Sequence, residues 1–264
     1  MTTSQGPWPG KFVWHDLMTT DGAKAVAFYQ ALFGWQIESR PMPGFVYHVI
    51  HLPPGPMGGI MQEKVPVSNW LPYLAVTDVD ATFAKIKQLG GKAIVPPTDI
   101  PQTGRFAVVV DPFGGHFAIY KGNPGTHGLD PSAMVEGRIC WNELMTTDLA
   151  GAQTFYSAVF GWQPQPMPMG DGGTYHLQML GGSQTAGLMK HPQPGAPSLW
   201  ASYFFVMDLK HATIRAKELG ATAMMENTPI PGIGAFSALL DPTGAFFALF
   251  EPVMPGAGGA DCQG

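Results

Sequence analysis

The sequence predicts an α+β fold in which four βαβββ modules are arranged as two homologous halves. Two observations indicate this fold: an internal duplication that covers almost the whole chain of 264 residues, and an order of strand-like and helix-like periods that recurs twice in each half. The duplication is clearest where WHDLMTTDGAKAVAFYQALFGWQ (14–36) matches WNELMTTDLAGAQTFYSAVFGWQ (141–163). The halves are joined by GNPGTHGLDPSAMVEG, whose Gly and Pro content is typical of a linker.

The first module begins with residues 12–18, which alternate with period two and predict a strand. Asp21 then caps a helix whose apolar positions follow helical spacing until Gly34 ends it. Three short β-rich runs with turn residues between them predict antiparallel strands. These runs are WQIES, FVYHVIHL and GGIMQ.

The second module repeats the same order of elements. LPYLAV predicts a strand, Asp78 opens a helix that Gly90 closes, and KAIVPP, RFAVVVD and HFAIY predict three more strands. Equivalent residues recur in the second half, where Asp208 and Gly220 take the positions of the cap and the helix end. Each half therefore contains two βαβββ modules.

Composition and charge exclude several classes of protein. Lys and Arg total 14 against 19 Asp and Glu, and no basic cluster occurs, so a surface for nucleic acid or for an anionic membrane is not expected. No apolar run reaches the roughly 18 residues that a membrane span needs, and the N-terminal residues lack the pattern of a secretory signal. We therefore expect a cytoplasmic protein. Cys140 and Cys262 lie in no redox or nucleophile motif and are expected to be inert.

The order of modules, together with FYQALFGW, FYSAVFGW, DPFGGHFAIY and DPTGAFFALF, resembles the vicinal oxygen chelate superfamily. That superfamily includes glyoxalase I, extradiol dioxygenases and the bleomycin resistance proteins. The resemblance covers residues 10–122 and 137–252, and it implies two glyoxalase-like domains with these boundaries and with curled mixed sheets. In the superfamily, paired modules curl into a cup where four inward side chains bind a divalent metal.

The metal site that the resemblance implies falls on residues that are poor ligands in this chain. A thioether is the best donor at these positions, and neither zinc nor the harder divalent cations favour it. No Gly-rich nucleotide motif occurs either, so we expect neither a metal nor another cofactor. Three of the implied positions are Trp14, Leu71 and Ala118 in the first half, and Trp141, Ala201 and Ala248 in the second. The fourth is Ile60 or Met61 in the first half and Leu188 or Met189 in the second.

Alternation along the first strand of each half places a carboxylate between a tryptophan and a methionine, on the face expected to line the cup. Such a carboxylate would be partly desolvated and its pKa raised, so it could act as a general base or accept a hydrogen bond from a ligand. The alternative is a carboxylate satisfied by backbone amides or by a Lys or Arg. We predict catalytic carboxylates with ligand-binding neighbours. These residues are Trp14, Asp16 and Met18 in the first half and Trp141, Glu143 and Met145 in the second.

Histidines and tyrosines on other strands are further candidates for ligand binding. His48 and His176 each follow a tyrosine, in VYHVI and TYHLQ, so one member of each pair should face the cup. The alternative is a histidine bonded to a backbone carbonyl beside a tyrosine that packs on a helix. Tyr73 and Tyr203 lie two residues beyond the second implied ligand position and should share its inward face. They could donate phenolic hydrogen bonds or serve as core tyrosines.

These features favour metal-independent binding of a small molecule in an apolar, aromatic cup, for resistance, sequestration or detoxification. The alternative is a glyoxalase-type lyase or isomerase, or a dioxygenase, that uses the carboxylates and histidines or a relocated divalent metal. A third hypothesis is a structural or surface-recognised protein without a ligand. Because fused halves can make internally the pairing that single-domain relatives make by dimerising, we expect a monomer or a weak homodimer.

Overall fold

Each half of the chain forms one eight-stranded mixed sheet that carries two helices. The computed structural model describes residues 8–53, 55–123, 133–169 and 174–253. Within these ranges the order βαβββ occurs four times, which confirms the predicted α+β fold.

The strands and helices of the two halves correspond one to one. In the first half they are β1 (Phe12–Thr19), α1 (Gly22–Phe33), β2 (Gln36–Met42), β3 (Phe45–Leu52), β4 (Gly55–Gln62), β5 (Asn69–Ala75), α2 (Val79–Gln88), β6 (Lys92–Ile100), β7 (Gly104–Val110) and β8 (His116–Gly122). In the second half they are β9 (Ile139–Thr146), α3 (Leu149–Phe160), β10 (Gln163–Pro168), β11 (Thr174–Leu180), β12 (Ser183–Lys190), β13 (Leu199–Phe205), α4 (Leu209–Glu218), β14 (Thr222–Ile230), β15 (Gly234–Leu240) and β16 (Phe246–Pro252).

The two sheets have the same topology. The strand order is β2-β3-β4-β1-β5-β8-β7-β6 in the first sheet and β10-β11-β12-β9-β13-β16-β15-β14 in the second. Within a module the first strand pairs in parallel with the last, whereas the two modules of a sheet join through the antiparallel pair β1 and β5. The antiparallel pairing predicted for β2, β3 and β4 is confirmed. The joint between modules therefore lies in the middle of each curled sheet.

The predicted caps define the first helix of each half. Asp21 Oδ1 accepts a hydrogen bond from Lys24 N at 3.0 Å, and Gly34 ends the helix in the left-handed region with φ 68°. Asp148 and Gly161 repeat this arrangement in α3. Left-handed backbone after the last turn favours glycine, which explains the FGW sequences. Within the described ranges, no helix is both long enough and apolar enough to cross a bilayer.

The helix-covered faces of the two sheets are buried in cores that both halves share. One core joins the first module of the first half to the second module of the second half, and Phe28 and Trp70 pack there with Phe204. The other core joins the two remaining modules, where Phe117 packs with Trp162. Each half therefore depends on the other to bury its helices.

Reciprocal hydrogen bonds tie the conserved segments of the repeat together across this junction. The Tyr29 hydroxyl donates to Asp241 Oδ2 at 3.1 Å, and the Tyr156 hydroxyl donates to Asp111 Oδ2 at 2.9 Å. In each half a buried tryptophan indole donates to that tyrosine oxygen at 3.0 Å. The other carboxylate oxygen of Asp111 accepts the Gly115 amide and so fixes its own turn. The FY and DP segments therefore serve the contact between the halves.

His15 and Asn142 occupy equivalent positions of the repeat and meet at the junction. The His15 ring is 7% exposed, and its Nε2 lies 2.8 Å from Asn142 Oδ1. The pKa of His15 is lowered to about 4. Burial is the main cause and the positive charge of Arg138 acts in the same direction, while the hydrogen bond with Asn142 opposes them. The imidazole is therefore neutral over the physiological range.

Replacing His15 with Asn should make the fold less sensitive to acid. The folded pKa lies below the ordinary value of 6.5, so the unfolded state binds the extra proton, and stability falls as the pH drops from about 6.5 towards 4. This group alone should cost about 2 kcal/mol between pH 7 and pH 4.5. Urea unfolding of the wild type, of His15→Asn and of the exposed control Lys85→Ala at both pH values measures the difference. An identical pH dependence in wild type and His15→Asn would contradict the prediction.

Candidate functional site

The helix-free face of each sheet is a concave surface, called here the first cup around Asp16 and the second cup around Glu143. Side chains from different strands meet on this face because residues paired across a ladder point the same way, as Trp14 does with Tyr73 and Tyr73 with Ala118. The apolar side chains of the first cup include Trp14, Met18, Leu71, Tyr73, Phe106, Val108, Ala118 and Tyr120. Those of the second cup include Trp141, Met145, Met189, Leu199, Ala201, Tyr203, Phe236, Phe246, Ala248 and Phe250.

Asp16 lies buried in the first cup, 4% exposed, and accepts hydrogen bonds from three aromatic side chains. Its Oδ1 accepts from the Tyr47 hydroxyl at 2.7 Å and from Trp14 Nε1 at 2.9 Å, and its Oδ2 accepts from the Tyr73 hydroxyl at 2.7 Å. The Trp14 indole also donates to the Tyr47 oxygen at 3.0 Å. Bonds to an ionised acceptor are stronger than neutral ones and offset part of the cost of burying the carboxylate.

Glu143 occupies the equivalent position in the second cup and is 7% exposed. The Tyr203 hydroxyl donates to its Oε1 at 3.1 Å, and the Tyr175 hydroxyl also interacts with the carboxylate and lowers its pKa. The Trp141 indole donates to the Tyr175 oxygen at 2.8 Å. The same residue types surround the carboxylate in both cups, but the indole of the second cup reaches the tyrosine and not the acid.

A glycine on the neighbouring strand leaves room for the ring of one tyrosine in each cup. Gly59 on β4 lies beneath the Tyr47 ring, and a Cβ at this position would overlap the hydroxyl. Gly187 on β12 has the same relation to Tyr175. The tyrosine side chain therefore lies across the backbone of the neighbouring strand, which brings its hydroxyl to the carboxylate.

Burial and hydrogen bonding act in opposite directions on both carboxylates. Burial raises the pKa of Asp16 and of Glu143, and hydrogen bonds from tyrosine hydroxyls oppose that rise in each cup. None of the groups that oppose it is a cation. Burial and the nearby carboxylate raise the pKa of the four tyrosines well above 10, so that their hydroxyls remain donors at neutral pH. These tyrosines are Tyr47, Tyr73, Tyr175 and Tyr203.

Known proteins resemble this chain in sequence over most of its length. A family model described as "Bleomycin resistance protein-like N-terminal" matches residues 11–50 and 138–172, which are equivalent segments of the two halves. "Putative glyoxylase CFP32" of Mycobacterium tuberculosis is 33% identical over 252 residues, which cover 90% of this chain and 94% of that protein. "Anthracycline biosynthesis protein DnrV" of Streptomyces peucetius is 33% identical over 264 residues, with coverage of 92% and 94%. The chain belongs to the vicinal oxygen chelate superfamily.

Solved structures confirm that the glyoxalase-like fold extends over both halves. The Mn(II)-bound glyoxalase from Novosphingobium aromaticivorans matches with a TM-score of 0.66 at 14% identity, covering 92% of this chain and 82% of that one. The 2,3-dioxygenase LapB from Pseudomonas sp. KL28 matches with a TM-score of 0.64 at 14% identity, with coverage of 94% and 96%. Identities this low establish the fold alone.

The metal typical of vicinal oxygen chelate proteins does not fit the donors of either cup. Around Asp16 the first cup offers Leu71, the cross-strand partner of that carboxylate, then Ala118 on β8 and Met61 on β4. A single carboxylate with methionine thioethers, hydrocarbon side chains and tyrosine hydroxyls that donate to the carboxylate is not a donor set for Mg, Mn, Ca or Zn. Within the described part of the chain, no group of three His, Cys, Asp or Glu side chains could hold a metal ion.

Two residues named as alternatives for a metal position face away from the cups. Ile60 and Leu188 are fully buried in the cores shared by the halves. The methionine that follows each of them faces the cup, since Met61 pairs with Met18 and Met189 belongs to the apolar cluster of the second cup. The cups therefore contain a thioether at this position.

The histidines predicted to bind a ligand are not brought to the carboxylates. Since Tyr47 and Tyr175 face the cups, alternation directs His48 and His176 to the opposite side of their strands. His48 Nδ1 lies 2.9 Å from the hydroxyl of Ser39, and burial lowers the pKa of this histidine. The geometry of the cups thus gives no support to a ligand-binding role for either histidine.

The other predicted site residues do lie on the cup faces. Tyr73 and Tyr203 donate to the carboxylates, as the sequence suggested for inward tyrosines. The tryptophans and methionines that flank Asp16 and Glu143 also belong to the cup clusters. These residues are Trp14 and Met18 in the first cup and Trp141 and Met145 in the second.

Tyr47 and Tyr175 are members of the cups that were not predicted as site residues. Period two shows only that a tyrosine and the next histidine face opposite ways, and not which of them faces inward. The signal that could have identified them is the glycine in GGIM and AGLM. Gly59 and Gly187 leave space for a ring on the adjacent strand, and the histidine positions face buried leucine and isoleucine.

Gly187→Ala should displace Tyr175 from the carboxylate of the second cup, because the new Cβ overlaps the phenol. We expect a loss of about 1–3 kcal/mol in the free energy of unfolding, typical of overpacking, and a further rise in the pKa of Glu143. Urea unfolding and carbon-13 NMR titration of the Glu143 carboxyl measure the two effects.

The matched control for this substitution is the same alanine in a Tyr175→Ala background. Without the phenol there is nothing to displace, so Gly187→Ala should then cost much less than in the wild type. Equal costs in the two backgrounds would mean that Gly187 does not act by making room for Tyr175.

Proposed function

We propose that the protein binds a small, largely apolar molecule on the helix-free face of its sheets, without a metal, and sequesters or detoxifies it. The observation that carries this proposal is a buried carboxylate held by tyrosine hydroxyls among tryptophan and methionine side chains. Such a surface combines large apolar area with one polar group that can orient a ligand.

The side chains of the cups suit a flat ligand of adaptable shape. Trp14 and Trp141 offer broad apolar rings, and methionines can change rotamer to follow an irregular outline. Asp16 and Glu143 are acceptors surrounded by donors, so a ligand that presents a further hydroxyl or amine could join the same network. Polar recognition would then come from the carboxylate and affinity from the aromatic walls.

The name of one relative is compatible with an aromatic ligand. DnrV is named for anthracycline biosynthesis, and anthracyclines are flat, fused-ring compounds with phenolic hydroxyls. CFP32 bears the name "Putative glyoxylase", which refers to an enzyme that acts on a small molecule. Both names are compatible with a cup that encloses a small organic molecule.

Flat phenolic compounds, including an anthracycline, should stabilise the protein against heat and urea. A ligand at about 100 times its Kd raises the free energy of unfolding by about 2.7 kcal/mol. Trp141→Ala removes an aromatic wall and should weaken binding at least tenfold, whereas the exposed control Lys85→Ala should leave it unchanged. Thermal unfolding and titration calorimetry measure both effects. If no compound of the panel stabilises the protein, the result would instead favour a protein without a small-molecule ligand.

A second candidate function is general-base catalysis of the glyoxalase type, as a lyase or isomerase. The observation that favours it is the raised pKa of Glu143, which burial keeps more basic than an ordinary carboxyl. Such a group is a stronger base than an ordinary Glu, and the tyrosines beside it can donate to a developing oxyanion.

If this second function operates, Glu143→Gln should reduce turnover of the methylglyoxal–glutathione adduct at least a hundredfold. Because a base must be ionised to act, the rate should fall as the pH drops through the raised pKa, at a higher pH than for an ordinary Glu. A stopped-flow assay of adduct disappearance over pH 4–8 tests both points. Absence of turnover in the wild type would count against catalysis of this kind.

A further inference from the structure

We infer that the second cup, and not the first, takes the ligand, and that the ligand presents a phenol or an amine to Glu143. This inference rests on the proposed binding function. Since the halves are repeats, each side chain of one cup has an equivalent in the other. Three differences between equivalent residues, in the size of the side chains beside the acid, in hydrogen bonding and in charge, favour the second cup.

Two side chains beside the carboxylate are smaller in the second cup. Leu71 is the cross-strand partner of Asp16, whereas its equivalent Ala201 is the partner of Glu143. The second difference lies on β7 and β15. Val108 pairs with Ala118 in the first cup, and its equivalent Ala238 pairs with Ala248 in the second. Methyl groups therefore stand beside the acid of the second cup where isobutyl and isopropyl groups stand in the first.

The carboxylate of the second cup retains more capacity to accept a hydrogen bond. Three donors at 2.7–2.9 Å occupy both oxygens of Asp16. Glu143 accepts hydrogen bonds from two tyrosines, Tyr203 at a longer 3.1 Å and Tyr175, whereas the Trp141 indole, whose equivalent donates to Asp16, donates to Tyr175.

The edge of the second cup is apolar where the edge of the first is charged. On β2, Arg40 lies opposite Tyr47 and pairs with Glu38 at 2.8 Å. The equivalent strand β10 has Met167 opposite Tyr175. An ion pair at the first edge would have to be desolvated when an apolar ligand enters, whereas a methionine can pack against that ligand.

The carboxylate of the second cup determines which functional group of a ligand can bind beside it. Burial and two tyrosine hydroxyls shift the pKa of Glu143, and no Lys or Arg of the described residues is among the groups that shift it. An anion would lie beside a carboxylate with no compensating charge, whereas a phenol can donate to that carboxylate. An amine can also use the faces of Trp141 and Tyr203 through cation–π contact. The ligand class is therefore a flat apolar molecule with one hydrogen-bond donor.

Four naphthalenes that differ only in one substituent test this inference by titration calorimetry at pH 7. We expect 2-naphthol and 2-naphthylmethylamine to bind with one molecule per chain. They should bind at least tenfold more tightly than 2-methoxynaphthalene, which lacks a donor, and 2-naphthoate, which is an anion. Stronger binding of the naphthoate, or equal binding of all four compounds, would overturn the ligand class.

The location is tested by giving the second cup the side chains of the first. The double variant Ala201→Leu with Ala238→Val should weaken 2-naphthol binding at least tenfold. The control is Ala84→Leu on the exposed face of α2, which introduces the same leucine away from the cups and should leave binding unchanged. Circular dichroism and the urea midpoint show whether each variant is folded. Should the double variant fail to fold, Glu143→Asp, which shortens the acid to the length found in the first cup, should weaken binding in the same direction.

The outcomes separate this inference from the proposed function. Undiminished binding in the folded double variant, or two molecules bound per wild-type chain, would overturn the choice of the second cup while small-molecule binding still stood. If none of the four naphthalenes binds but the wider phenolic panel does, the ligand class is wrong and the binding function survives. If no compound of either set binds, both fail.

Discussion

The reciprocal bond between a tyrosine of one half and an aspartate of the other is the constraint on which the rest of the structure depends. Tyr29 donates to Asp241 and Tyr156 to Asp111, and each aspartate also holds the turn before the last strand of its sheet. These bonds lie inside the two shared cores, so both helix-covered faces are turned inward. The opposite faces of the sheets are left concave and free of helices, and this is where the carboxylates lie.

This division of roles explains which parts of the sequence repeat most strongly and which differ. The FY, FGW and DP segments serve the contact between the halves, where a change on one side requires a matching change on the other. The cups carry no such mutual constraint. Leu71 and Ala201 could therefore diverge, and a duplicated scaffold of this kind can keep one cup closed around its acid while the other adapts to a ligand.

Periodicity and caps are local signals, so the modules, the helix ends at Gly34 and Gly161 and the inward position of Asp16 and Glu143 could be predicted from the sequence. The orientation of Tyr47 against His48 does not follow from the period of β3 alone, because the antiparallel pairing of β3 with β4 brings Gly59 beneath the ring. The shared cores are equally non-local. Nothing in the first half indicates that its tyrosine finds an aspartate 212 positions away.

The buried carboxylates bear directly on how the cups work. A carboxylate removed from water without a cation is destabilising, and tyrosine hydroxyls recover only part of that loss. In the first cup, three short hydrogen bonds make the arrangement complete without any other molecule. In the second cup, the glutamate has two donors instead of three and smaller side chains beside it, so a ligand that donates to it would relieve a cost already present in the free protein. Preorganisation of this kind makes a single polar contact effective within an otherwise apolar cup.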